Sequence, residues 1–280
     1  MKNVRCSLHP RTLMLGVAAS AWAENLLGAG SCSPRQMFWL GLPCTLMLCL
    51  VSALVGTELS DECRRGTLSK LGSFVLGIWF LAELVRTAFT AHTLCRAQFD
   101  SLAVLGLLPL LLLAGWALPT EVFDRSSVVL WGAAALAALL CICGLWGQLR
   151  WQNLYTPAPG GTAPLLPIYP EYFAFGLLCP PEEGQRGVWM PLGTLAVQVA
   201  HCLLLALLFG SAEELIQPGM ELLGAVTLGG ASSFDAVFLL VWLAAALFRV
   251  CVLAKAFCLL AGRLSARPPY KNIFLNGILI

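Results

Sequence analysis

The sequence predicts an all-α, polytopic membrane protein with about eight transmembrane helices. Hydrophobic residues make up 59 % of the 280 residues and charged residues only 11 %, whereas a soluble chain carries about a quarter charged residues. In water, so apolar a chain would expose large sticky patches. The Lys and Arg residues fall mainly into alternate connections between apolar segments, which is typical of membrane orientation. We therefore expect the lipid bilayer to be a principal partner of this chain.

The apolar segments are mostly near the length of about 20 residues that a helix needs to cross a bilayer. Unpaired backbone groups are unfavourable in lipid, so these segments are expected to be helical. Runs such as LGLLPLLLLAGWAL lack the alternation of a barrel strand. The spans form one predicted domain, 1–261, followed by a cytoplasmic tail, 262–280. The predicted spans are Leu13–Gly30, Met37–Gly56, Leu71–Cys95, Leu102–Leu118, Val128–Gly147, Pro164–Cys179, Val188–Gly210 and Phe234–Ala261.

The positive charges predict the topology, because Lys and Arg resist translocation and mark cytoplasmic flanks. The connection Ser211–Ser233 contains Glu213, Glu214 and Glu221 but no basic residue, so it is expected outside. Both termini are then cytoplasmic, which agrees with an even number of spans. The cytoplasmic set is Lys2, Arg5, Arg11, Arg64, Arg65, Lys70, Arg125, Arg186, Arg263, Arg267 and Lys271, and the opposite set is Arg35, Arg96 and Arg150.

Several function classes are disfavoured by the composition. The net charge of +2 is accounted for by membrane orientation, so no nucleic-acid partner is expected. The twelve cysteines are scattered through apolar runs and suit small packed side chains better than a metal site. We therefore predict no metal and no cofactor. The chain has no HExxH or GxSxG motif and no cluster of His with carboxylates, so it is not expected to be an enzyme.

Ionisable residues inside the spans are candidates for function, because each is unfavourable in lipid. Glu83 and Arg86 lie three residues apart on one helix face and are close enough to pair. They form either an internal ion pair that positions the helix or part of a ligand or ion path. His201 is expected to be neutral and hydrogen-bonded to a neighbouring helix. Arg249 lies deep in the last span and needs a partner, either Glu83 or a ligand carboxylate.

A further charged pair follows the fourth span. Glu121 and Arg125 stand four residues apart, which suits an ion pair if the helix continues past Pro119. Alternatively, Pro119 begins a new helical turn. A structural role is the favoured interpretation of this pair.

The first and sixth spans carry the candidate ligand site. The first contains Gly16 and Ser20, and the sixth contains three prolines followed by Glu171, Tyr172 and Phe173. Two interrupted helices at corresponding positions in two halves indicate a transporter site. Amides freed by a break could hold a carboxylate, and the two rings could form the apolar body of a pocket. In the alternative interpretation, Glu171 lies at the water interface and Tyr172 belongs to an aromatic belt.

Several landmarks occur in an order that resembles the permease-like B subunit of bacterial spore germinant receptors, a branch of the amino acid-polyamine-organocation transporter superfamily. The polar lead SLHPRTLMLG opens the first span, and LSKLGSFVLGIWFLAELVRTAF contains the third. TEVFDRSSVVL resembles the Glu-x-x-x-Arg turn of the family, although the stretch ALPTEVFDR lacks its glycine. LLPIYPEYFAF resembles the Leu-Leu-Pro element, and ASSFDAVFLLVWLAAALF resembles the acidic turn before the eighth helix. The likeness covers about Leu8 to Leu260.

This resemblance implies an inverted repeat of five plus five helices with a ligand site near the first and sixth. The last predicted span ends near Ala261 of 280 residues, so the bundle is expected to be shortened by its last two helices. The implied function is to sense, or also transport, an amino acid or similar small nutrient during spore germination. The implied location is the spore inner membrane, and the implied partners are a soluble-domain membrane subunit and a lipoprotein. The alternative is a structural or assembly membrane protein that binds no small molecule.

Overall fold

The fold is a bundle of α-helices, as the sequence predicts. The computed structural model describes residues 7–27, 34–61, 67–155, 167–179, 186–210, 218–228, 231–232 and 235–264. Short 3-10 turns, Trp146–Gln148 and Trp151–Tyr155, follow the fifth helix. The helices are α1 (Pro10–Leu27), α2 (Pro34–Asp61), α3 (Thr67–Phe99), α4 (Ala103–Ala117), α5 (Thr120–Leu145), α6 (Glu171–Leu178), α7 (Met190–Phe209), α8 (Pro218–Gly224) and α9 (Asp235–Leu264).

Five helices of the described chain are long and apolar enough to cross a membrane. They lie in α2, α3, α5, α7 and α9. Large apolar side chains such as Trp39, Met47, Phe89 and Val129 are exposed on the outside of the bundle, where lipid would cover them. The prediction of a polytopic membrane protein is therefore confirmed at this level. Helix α4 has 15 residues and α1 has 18, so both are shorter than these helices.

The sixth predicted span differs most from its predicted bounds. Helix α6 contains only eight residues, Glu171–Leu178. At about 1.5 Å per residue such a helix is far shorter than a bilayer core. It begins directly after Pro170, because proline provides no backbone donor for a preceding turn. Pro164 lies outside the described residues. The prediction that this segment spans the membrane as a helix is therefore wrong.

The first predicted span is also different from expectation. Helix α1 runs without interruption from Pro10 to Leu27, through both Gly16 and Ser20. The backbone amides of these two residues belong to the helix interior and are not freed by a break. The prediction of an opened backbone in this segment is therefore wrong, and Gly28 and Gly30 lie outside the described residues.

Helix α9 is the central element of the bundle. It packs against α3, α4, α1 and α5, whereas α2 packs against α7 and α6. Two close approaches depend on glycine. A Cβ atom on Gly115 of α4 would lie 2.7 Å from the Cβ atom of Ala254 on α9, and one on Gly176 of α6 would clash with the carbonyl oxygen of Gly56 on α2. Small residues at such crossings are the usual means by which membrane helices pack closely.

The connection 211–233, predicted as an outside loop, contains secondary structure. Its described part includes α8 and two antiparallel strands of two residues each, Thr227–Leu228 and Ala231–Ser232. Glu221 lies in α8 and is exposed. Glu213 and Glu214 lie outside the described residues, and the side of the membrane on which this connection lies stays a prediction.

Candidate functional site

The most buried charged residue described is Arg249, in the middle of α9. Its side chain has no solvent exposure. Its Nη2 and Nε atoms donate to Oε1 of Glu171 at 2.7 and 3.1 Å, and its Nη1 atom donates to Oε1 of Glu83 at 2.8 Å. A weaker contact of 3.4 Å joins Nη1 to the hydroxyl of Thr87. A single guanidinium therefore connects α9 with both α3 and α6.

Glu83 is shared between two guanidiniums. Its carboxylate accepts from Arg86 Nη2 at 2.6 Å and from Arg86 Nε at 2.9 Å, in addition to Arg249. Such short, charge-assisted contacts are the stronger kind of hydrogen bond. The geometry agrees with the predicted Glu83–Arg86 pair and with Glu83 as a partner of Arg249. Arg86 also reaches Glu24 of α1 at 2.5 Å. The ion network therefore runs from α1 through α3 to α9 and α6.

Tyr169 lies beneath both guanidiniums, just before α6. Its ring centroid is 5.0 Å from the Cζ atom of Arg249 and 5.7 Å from that of Arg86. These distances allow cation–π attraction, which is stronger where water is excluded. The phenol is fully buried, and its oxygen has no hydrogen-bond partner among the described residues. The same holds for Oε2 of Glu171.

Gly16 provides space for Arg249 rather than a backbone break. A Cβ atom at Gly16 would lie 3.0 Å from Cγ of Arg249 and 3.3 Å from its Cδ. The absence of a side chain therefore allows the stem of Arg249 to lie close against α1. The predicted role of Gly16, with its amide facing a ligand carboxylate, does not fit this arrangement.

A cavity of about 250 Å³ adjoins the ion network. It is smaller than the range of about 300–1,000 Å³ typical of sites for drug-sized ligands, so it would suit a smaller molecule. Of the predicted ligand-site residues, only Ser20 lines it. The lining residues come from three helices: Ala19, Ser20, Ala23 and Glu24 of α1, Arg86, Thr87 and Thr90 of α3, and Trp242 and Ala246 of α9.

The other predicted site residues lie nearby but contact different neighbours. Glu171 is 1 % exposed and pairs with Arg249, so it does not lie at a water interface. The Tyr172 hydroxyl donates to Thr194 of α7 at 2.7 Å. Phe173 packs against Trp79 of α3, with ring centroids 5.8 Å apart. The rings expected to form the pocket wall therefore hold α6 against α7 and α3, because α6 is too short to extend beside the cavity.

His201 is buried in α7, as expected for a neutral side chain in the membrane interior. Its Nε2 atom has no hydrogen-bond partner among the described residues, and the expected hydrogen bond of this imidazole to a neighbouring helix stays a prediction. Gln198, one turn earlier on α7, likewise has a buried Oε1 atom without a partner in the described chain. Neither residue lines the cavity.

Glu121 and Arg125 are both exposed in the first turns of α5 and form no ion pair with each other in the described chain. Helix α5 begins at Thr120, and Pro119 precedes it in an extended conformation. The acidic residue of α5 that contacts the beginning of α1 is instead Asp124. It accepts hydrogen bonds from the Thr12 hydroxyl at 2.7 Å and from the His9 amide at 3.0 Å.

The sequence interpretation did not assign Glu24, Tyr169 or Trp242 to the site. Glu24 carried a usable signal, because an acidic residue inside an apolar segment needs a partner. Trp242 carried a weaker signal in the sequence. Its indole nitrogen donates to the carbonyl oxygen of Ala19 at 2.9 Å, which brings α9 against α1 at the cavity.

No three His, Cys, Asp or Glu side chains of the described chain come close enough together to hold a metal ion. The site is therefore a mixed ion network beside a small, partly polar cavity, which is an arrangement that can hold charged groups of either sign. No protein-family model, no curated protein and no solved structure matches this chain.

Proposed function

We propose that this chain is a transporter-like integral membrane protein that binds a small zwitterionic nutrient, an amino acid or a similar molecule, in the cavity between α1, α3 and α9. One observation carries the proposal. Glu24 and Arg86 contribute opposite charges to the lining of the same small cavity. Their side chains are 32 % and 45 % exposed, so both are accessible from it.

The contact between these two residues resembles the pairing that a zwitterion would make with each of them. In the structure, Arg86 donates to Glu24 directly. A bound amino acid would place its ammonium group against Glu24 and its carboxylate against Arg86, replacing one ion pair by two. A guanidinium suits this role because it recognises carboxylates in a planar, two-bond geometry.

The remaining walls suit an apolar side chain. Ala19, Ala23 and Ala246 are small, and the indole of Trp242 supplies a flat apolar surface. Ser20, Thr87 and Thr90 add hydroxyl groups that could bond to a polar atom of the ligand. The combination of an apolar body with a few polar groups is common in small-molecule sites.

The most specific form of this proposal is a permease-like subunit of a spore germinant receptor. It rests on the order of residues that resembles that family, from the polar lead of the first span to the acidic turn before the last. In this form the chain would lie in the spore inner membrane with a soluble-domain membrane subunit and a lipoprotein. Co-purification of those two partners with the full chain would support it, and purification of the chain without them from native membranes would count against it.

The alternative function, a structural or assembly protein, is favoured by a different observation. Arg249 is fully buried and is paired with Glu83 and Glu171, as an internal brace between three elements would be. A brace of this kind requires no ligand. The two functions therefore differ in whether the adjoining cavity is occupied.

Binding and uptake of labelled amino acids by proteoliposomes would separate the two functions. We expect Ala246→Phe to abolish binding, because the ring would fill the cavity. Ala244→Phe is the matched control, since Ala244 lies two residues away on α9 and is exposed on the outside of the bundle. A panel of all common amino acids without binding to the wild-type protein would favour the structural function. Equal binding by both variants would instead place the ligand outside this cavity and contradict the proposed site.

A further inference from the structure

The ion network contains an unequal number of opposite charges. Among the described residues, three carboxylates, those of Glu24, Glu83 and Glu171, face two guanidiniums, those of Arg86 and Arg249. If every group were ionised, one negative charge would remain uncompensated inside the bundle. Uncompensated charge is strongly unfavourable in a medium of low dielectric constant, so a group in this position takes up a proton or a cation.

We propose that the network binds one proton from water, and that Glu171 carries it on Oε2. With this proton bound, two ionised carboxylates face two guanidiniums, and the network is electrically neutral. In this step one O–H bond forms at Oε2 as one O–H bond of a hydronium ion breaks, and a water molecule is released to the solvent. It requires no nutrient in the cavity, so it is independent of the proposed function.

Glu171 is the carboxyl group that loses least by protonation. Glu83 accepts three hydrogen bonds from the two guanidiniums on its two oxygens. Glu24 is one-third exposed, so its charge is partly solvated from the cavity. Glu171 is 1 % exposed and uses only Oε1, which leaves Oε2 without a partner among the described residues. A proton on Oε2 therefore breaks none of the contacts with Arg249.

The described residues supply no other charge that would balance Glu171. On the packed elements, α9 contributes Arg249, α3 contributes Glu83 and Arg86, and α1 contributes Glu24. The nearby residues of α2 and α7 are Ser52 and Thr194, which contact Tyr172 and carry no charge. Tyr169, two residues before Glu171, has a buried phenol oxygen that also lacks a partner in the described chain.

Infrared spectroscopy of the full chain in proteoliposomes tests this proposal, because a protonated carboxylic acid has a carbonyl stretch that a carboxylate lacks. We expect this band in the wild-type protein at neutral pH and its loss in Glu171→Gln. We also expect the band to be lost in Glu24→Gln, although Glu24 touches neither Glu171 nor Arg249 in the structure. Removing the Glu24 charge leaves two carboxylates opposite two guanidiniums, so Glu171 no longer needs a proton. Glu221→Gln, an exposed position in α8, should retain the band.

The spectra have clear contradicting outcomes. A wild-type protein without the band, or a Glu171→Gln variant that keeps it, would overturn the assignment of the proton. A band that disappears in Glu171→Gln but persists in Glu24→Gln would overturn the charge balance, because burial alone would then hold the proton. Circular dichroism and detergent unfolding identify any variant that has failed to fold. If Glu171→Gln fails to fold, Glu171→Asp replaces it, and we expect the band of this variant at a shifted frequency. Presence of the band in a wild-type protein that binds no amino acid would contradict only the proposed function.

Discussion

Helices α5 and α9 are equally apolar but occupy different environments. The apolar stretch of each helix has a mean hydropathy of 2.5. Only 22 % of this stretch is buried in α5, compared with 56 % in α9. Lipid is as apolar as a protein core, so hydropathy does not distinguish a lipid-facing helix from a central one. In this chain the distinction comes from one charge, Arg249, and from small residues such as Ala254 that allow close packing.

The largest expected difference between the two helices concerns their arginines. Arg249→Met would leave Glu83 and Glu171 buried without their shared partner, and it should lower the free energy of unfolding by about 3–5 kcal/mol. Arg125→Met on α5 should change it by less than about 0.5 kcal/mol, because Arg125 is exposed. Reversible unfolding in mixed detergent micelles measures both. Similar losses of unfolding free energy in the two variants would show that Arg249 is not the main residue that holds α9 in the bundle.

Helix packing gives a second, smaller contrast. Gly115→Val should destabilise the bundle by about 1–3 kcal/mol, because the new side chain would meet α9 at Ala254 and at the Cys251 carbonyl oxygen. Gly106→Val on the same helix and Gly132→Val on α5 are controls, since a Cβ atom at either position meets nothing within 4 Å. The same unfolding assay applies. A loss of stability at Gly106 or Gly132 equal to that at Gly115 would contradict the close approach of α4 and α9.

A third prediction concerns the shared pair on α3. Glu83→Gln and Arg86→Gln should be coupled by about 1 kcal/mol in a double-mutant cycle, because a partly exposed ion pair is screened. Glu83→Gln alone should be the more destabilising change, since it also weakens the contacts of Arg249. Additive effects of the two substitutions would mean that Glu83 and Arg86 do not interact directly in the membrane.

The sequence predicted more of the fold than of the site. Composition and the length of the apolar runs predicted the helical membrane bundle, because both follow from the chemistry of lipid. The pairing of Glu83 with Arg86 followed from helical spacing. Neither the continuous α1 nor the short α6 could be predicted. A glycine in an apolar segment is equally compatible with a break and with a close contact, and only the position of Arg249 opposite Gly16 decides between them.

Long-range partners were equally hidden from the sequence. Glu171 and Arg249 are 78 positions apart, so no local pattern connects them. The sequence placed Glu171 on the wall of a ligand site, whereas in the structure it pairs with Arg249 and does not line the cavity. The inverted repeat of five plus five helices stays a prediction.

The smallest expected effect concerns orientation. Glu221→Cys in an otherwise cysteine-free chain should be labelled by a membrane-impermeant thiol reagent added from outside, with no change in stability, because Glu221 is exposed in α8. Labelling at this position from the cytoplasmic side alone would reverse the predicted side of this connection.

The central claim, that the cavity beside the ion network holds a zwitterion, is tested most directly by calorimetric titration with three matched ligands. These are an amino acid that binds in proteoliposomes, its carboxamide, which lacks the anionic group, and its deaminated acid, which lacks the ammonium group. We expect the wild-type protein to bind the amino acid at least about tenfold more tightly than either analogue, a difference of about 1.4 kcal/mol. Glu24→Gln should remove the preference over the deaminated acid, and Arg86→Gln the preference over the carboxamide. Equal affinities of the wild-type protein for all three ligands would contradict the account.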